Sequence, residues 1–131
     1  MPQALRFALI LPAMLLASTG WAEARGGFNP DCRVPRISLC PGCTVSVKIV
    51  VLRDHECHIN YGSLGPMQPQ QILVGPKNGT YQIINETSTA YSPASGFLGA
   101  DHFETRFQYG MMNGSPGSTV LKADVEVVPH F

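Results

Sequence analysis

Beyond residue 43 the chain alternates between apolar and polar positions, and no stretch there repeats at the 3.6-residue period of a helix. Thr44 to Leu52 is the first clear strand, with Val45, Val47, Ile49 and Val51 on one face and Ser46 and Lys48 on the other. Arg53-Asp54 reads as a turn, and His55 to Asn60 as a strand running back. On that strand Cys57 and Ile59 are expected to point inward together with His55, while Glu56 and His58 face solvent. Gly62 to Gln70 is a loop rich in Gly and Pro. Gln71 to Val74 is a short strand, and Pro76 to Gly79 carries the Asn-Gly hairpin signal. Tyr81 to Asn85 and a short strand ending at Tyr91 follow. His102 to Tyr109 alternates sharply, with Phe103, Thr105, Phe107 and Tyr109 on one face. Gly110 to Ser118 is a turn with an apolar Met111-Met112 tip, and Thr119 to Val128 closes the chain with Leu121, Ala123, Val125 and Val127 inward.

About seven short strands separated by turn signals predict an all-β, antiparallel sandwich of Greek-key type, with a small barrel as the alternative packing. The domain proper is expected over 44–131. Residues 25–43, interrupted by Pro30, Pro35 and Pro41, read as an irregular Cys-rich arm. Residues 1–24 read as a cleaved signal peptide: Arg6, an apolar run from Phe7 to Ala17, and a small-x-small site at Ala22-Glu23-Ala24. That run is shorter than the roughly 20 residues that span a bilayer, and no later segment could cross one as an apolar helix. The expected location is periplasmic or secreted, with no membrane span after cleavage.

Four cysteines in an exported chain point to disulfides. Cys32, Cys40, Cys43 and Cys57 can pair in three ways. Pro41 and Gly42 occupy the two central positions of a type II turn, which favours Cys40–Cys43 with Cys32–Cys57; the runner-up is Cys32–Cys40 with Cys43–Cys57. A plain hairpin at Arg53-Asp54 would also set Cys57 opposite Ile49 rather than Cys43. The Cys-x-x-Cys spacing lacks the βαβ unit and helix N-terminus of a redox site, so a structural bond is the expectation.

Lys plus Arg number 9 and Asp plus Glu number 9, with no basic run to follow a phosphate backbone, so nucleic acid is not an expected partner. No Gly-x-Ser-x-Gly and no paired carboxylates suggest hydrolysis, so the chain reads as a non-enzyme without a cofactor. The cluster around Glu56 and His58, with His102, is the one alternative: a periplasmic Cu or Zn site. Period 2 places His55 and Cys57 on the face opposite Glu56 and His58, which argues against it.

The stretch Tyr91-x-Pro93-x-x-Gly96-Phe97-x-Gly99-x-Asp101-x-Phe103, with Pro76 to Gly79 before it and the Val120 to Val128 strand after it, resembles the motif of bacterial immunoglobulin-like, cadherin-like modules. The resemblance covers about Ile72 to Val128 and implies an immunoglobulin-like sandwich. Asp101 is expected to cap a turn by accepting backbone N–H bonds. The bacterial source that the resemblance implies would make the sequons at Asn78, Asn85 and Asn113 plain turn signals. This chain has one module and lacks the acidic linker motifs with which tandem cadherin-like repeats bind calcium. The expected function is recognition of a protein or cell-envelope component through an open sheet edge. The oligomeric state is left open.

Overall fold

The computed structural model describes residues 29–131, so the signal-peptide reading and the first residues of the arm lie outside the described residues. Eight strands follow in order: β1 (Cys32–Arg33), β2 (Thr44–Leu52), β3 (Cys57–Asn60), β4 (Gln71–Val74), β5 (Gly79–Asn85), β6 (Ser88–Pro93), β7 (Gly99–Gly110) and β8 (Pro116–Val128). They form a five-stranded sheet, β1-β2-β8-β7-β4, packed on a three-stranded sheet, β3-β6-β5. The chain is therefore an all-β two-sheet sandwich. Neither sheet closes on itself, so each keeps two edges.

Side-chain alternation explains the packing. Along β7 the inward residues Asp101, Phe103, Thr105, Phe107 and Tyr109 are buried, and β8 buries Thr119, Leu121, Ala123, Val125 and Val127 opposite them. These two strands pair over their whole length, from Gly99 with Val127 to Gly110 with Pro116. Tyr61 packs on Phe107 with ring centroids 4.6 Å apart, Tyr81 on Phe103 at 4.6 Å, and Tyr91 on Phe103 at 6.1 Å. Each fully buried aromatic of this set contributes about 1.5–3 kcal/mol through lost apolar surface alone.

Three features differ from the sequence reading. First, β2 pairs with β8 in parallel, Thr44 beside Val120 through to Leu52 beside Val128, so the five-stranded sheet is mixed. Parallel neighbours need a long crossover, and here all of β3 to β7 supplies it. Second, the turns at Arg53-Asp54 and Pro76 to Gly79 do not make hairpins: β2 and β3, and likewise β4 and β5, lie in different sheets. Each turn carries the chain across the sandwich from one sheet to the other. Asp54 takes φ 61° there, a left-handed conformation that Asp tolerates. Third, the arm is not wholly irregular. Cys32–Arg33 pairs antiparallel with Val51 and Val50 and adds an edge to the larger sheet.

One disulfide joins the arm to this frame and the other closes a turn within the arm. Cys32–Cys57 ties β1 of one sheet to β3 of the other, and Cys40–Cys43 closes the Pro-Gly turn, each with Cα atoms 5.6 Å apart. The turn docks on the start of β8. The N–H of Gly42 donates to Ser118 O at 2.7 Å, that of Val120 to Cys43 O at 3.1 Å, and the Thr119 hydroxyl to Cys40 O at 2.7 Å.

Candidate functional site

Tyr91 and Asp101 face each other inside the sandwich. The Tyr91 hydroxyl donates to Asp101 Oδ2 at 2.7 Å. The same carboxylate accepts the backbone N–H of Lys77 at 2.9 Å and of Asn78 at 3.1 Å. Asp101 also accepts the backbone N–H of His102 at 2.9 Å, so it caps the turn between β4 and β5 from a strand of the larger sheet and is met by four donors where solvent barely reaches. Gly79 sits against this cap. A Cβ there would meet Ser92 O at 2.6 Å and the Tyr91 hydroxyl at 3.0 Å, so no side chain fits. Gly96 (φ 73°) and Gly99 (φ 126°) take left-handed conformations around Phe97, which packs against the core. The Gly96 N–H donates to Asp54 Oδ1 at 2.8 Å, joining the turn between β6 and β7 to the one between β2 and β3. Pro93 ends β6, and Phe103 fills the space between the two sheets. Every member of the motif is spent on architecture.

A second buried polar network lies farther along the same flank. Tyr61 Oη lies 2.9 Å from Thr89 Oγ1 and 3.1 Å from Tyr81 Oη, and the Tyr81 hydroxyl donates to Gln70 Oε1 at 2.9 Å. Gln70 Nε2 donates to Asn85 O at 3.3 Å. Burial pushes the Tyr61 phenol well above its ordinary value, with the neighbouring Tyr81 adding to the effect, and burial also raises Tyr81. Tyr91 is also raised, by burial first and then by the carboxylate of Asp101. All three phenols serve as neutral hydrogen-bonding groups.

These two networks hold β4 over β5. At one end the Asp101 cap fixes the 75–78 connection, and at the other Gln70 reaches Asn85. Both strands are sheet edges, so they line one flank of the sandwich with backbone groups unpaired on their outer sides. Their aliphatic side chains are exposed: Ile72 46%, Leu73 42% and Val74 39% on β4, Ile83 37% and Ile84 49% on β5. By comparison, Leu64, Leu98 and Met112 are single exposed residues in loops, which is ordinary for a protein surface. Five exposed aliphatic residues therefore lie on the two edge strands of this flank.

The ladders account for this exposure. Ile72 opposes the buried Thr105 and Ile83 the buried Thr89, so both sit on inward faces, but no further strand among the described residues covers the flank. The register shifts between Ile72 and Val74 and between Ile83 and Asn85, which places Leu73 and Ile84 at bulges. Sequence reasoning marked both segments as strands without singling out these residues. The signal was adjacent apolar pairs, Ile72-Leu73 and Ile83-Ile84, which break strict alternation.

The opposite flank is blunted. β1 has two residues between Pro30 and Pro35, and β3 carries His58 outward with Glu56 just before the strand.

The proposed metal residues do not meet. His58 Nε2 pairs with Glu56 Oε1 at 3.0 Å on the outer face of the three-stranded sheet. His102 lies on the outer face of the other sheet, 2.8 Å from Asp124 and 3.5 Å from Glu104. Alternation around the inward Cys57 and Phe103 forces these opposite directions. Among the described residues no group of three or more His, Cys, Asp or Glu is placed to hold a metal ion. His55 is a correction: it precedes β3, is exposed and bonds Asp31 at 2.8 Å, because the strand begins only at Cys57. Comparison with protein-family models and with curated proteins finds no match to this chain.

Proposed function

We propose that this chain is an exported, non-enzymatic binding module of immunoglobulin-like type, which recognises a protein or cell-envelope component through the β4/β5 flank. The observation that carries the reading is the row of five exposed aliphatic side chains along two unpaired strand edges. Main-chain hydrogen bonds to an added strand would supply affinity, and the aliphatic row would select for an apolar extended segment. Two disulfides among the described residues support an oxidising compartment, and no described helix is long and apolar enough to cross a membrane. The immunoglobulin-like assignment rests on the Tyr91 to Phe103 motif and on the division of strands between the sheets.

Site-specific photo-cross-linking in the cell that exports the protein tests this. A photoreactive side chain replacing Leu73 should yield covalent protein adducts, whereas one replacing His58 on the blunted flank should yield none. No adduct from position 73, or equal adducts from both, would remove the flank as the binding surface.

A further inference from the structure

The β5 edge is built to pair with itself. From Thr80 to Asn85 it runs Thr-Tyr-Gln-Ile-Ile-Asn: rich in β-formers, with no proline, no glycine and no charge. A segment of that composition on an edge is suited to pairing with an identical strand, and natural edges usually carry a charge or a proline to prevent it. Among the described residues the other edges are shorter: β1 has two residues, and β3 and β4 four each, with prolines near β1 and β4 and with His58 on β3. β5 is the longest edge and has neither charge nor proline over Thr80–Asn85, although its register shifts at Ile84 as that of β4 does at Leu73.

Charge around β5 selects an orientation. Lys77 lies just before the strand and Glu86 just after it, both exposed. Parallel pairing of two copies would set Lys77 beside Lys77 and Glu86 beside Glu86. Antiparallel pairing centred on Gln82 sets Tyr81 opposite Ile83 and Thr80 opposite Ile84 of the second copy. It also brings Lys77 of each copy within one position of Glu86 of the other, at both ends. A two-fold interface of this kind is self-complementary, and a formal net charge of zero leaves no bulk repulsion between copies.

We propose that the chain forms a two-fold dimer in which β5 pairs antiparallel with β5 of a second copy, joining the two three-stranded sheets into one of six strands. The inference rests on the reading of the β4/β5 flank as a docking edge and names the occupant of its β5 half.

Sedimentation velocity on the purified protein over a wide concentration range tests it. The wild type should show a reversible monomer–dimer equilibrium. Ile84→Lys should abolish the dimer, and Glu86→Lys should weaken it by about tenfold, since two like-charge pairs replace two opposite ones. The double variant Lys77→Glu with Glu86→Lys should restore it. Both positions are exposed, and circular dichroism will confirm that each variant folds. A wild type that stays monomeric throughout overturns the proposal, as does a dimer indifferent to Ile84→Lys or to the charge swap. A monomer that instead binds an uncharged aliphatic peptide or a lipid vesicle also overturns it, by giving the flank another occupant. Heterologous cross-links at position 73 together with a monomeric wild type would leave the binding function standing and remove only the self-pairing.

Discussion

At the scale of single residues, the Tyr91–Asp101 pair shows how a motif residue can be chemically capable and still be structural. Asp101 could be an acid or a cation ligand by type, yet its oxygens accept from Tyr91, Lys77, Asn78 and His102. Asp101→Ala should cost about 3 kcal/mol in urea unfolding, because it removes the acceptor of a buried hydroxyl and of three backbone donors. Tyr91→Phe should cost less, about 1–2 kcal/mol, since the carboxylate keeps its backbone partners. Gly79→Ala should be destabilised by about 1–3 kcal/mol, because its methyl would meet the Ser92 carbonyl oxygen. The buried phenols set a pH limit. The folded state raises the pKa of Tyr61, Tyr81 and Tyr91 above the ordinary 10.0, so it holds those protons more tightly than the unfolded chain does. Their contribution is complete below pH 10 and is lost as pH rises beyond it. An ultraviolet titration should show phenolate from these three appearing together with alkaline unfolding, and Tyr61→Phe should flatten the fall in stability above pH 10.

At the scale of elements, the two disulfides do unequal work. Cys32–Cys57 spans a separation of 25 residues and joins the sheets, so its loss should cost about 3–4 kcal/mol by the chain-entropy account. Cys40–Cys43 spans a separation of 3 and should be worth about 2 kcal/mol. A Cys32→Ala, Cys57→Ala protein should therefore melt several degrees below a Cys40→Ala, Cys43→Ala protein in differential scanning calorimetry. The reverse order would mean that docking of the Pro-Gly turn on β8 matters more than cross-linking the sheets. Strand identity was legible because β2, β7 and β8 alternate cleanly, and alternation with one buried face leaves a single register. Strand pairing was not. The Asn78-Gly79 dipeptide is a hairpin signal in isolation, but here Asp101 holds that turn from another strand and sends the chain across the sandwich.

At the scale of the whole molecule, exposure is unevenly distributed. One flank ends in prolines, charges and a two-residue strand, and the other in two edges with five exposed aliphatic residues. A Leu73→Lys, Ile84→Lys double variant should keep its melting temperature within a few degrees, since charges on an open edge cost little folding energy, and should lose the position-dependent contacts of that flank. A large drop in melting temperature would show instead that these residues belong to the core.

The linear chain determined most of the strands from β2 to β8, which face of β2, β7 and β8 turns inward, and that the Cys32 to Cys57 region is cross-linked, because period-2 patterning, turn chemistry and cysteine spacing are local properties; it missed the short β1 and misplaced His55. Only the tertiary structure decided that β2 lies parallel to β8, that Gln70 and Tyr61 join a buried network, and that Glu56 and His58 stand on the opposite outer face from His102. It alone decided which edges stay open. Each of these depends on which strands become neighbours across long separations, a choice made by the total area the two sheets bury together and by a few buried polar bonds. No single stretch of sequence carries that information.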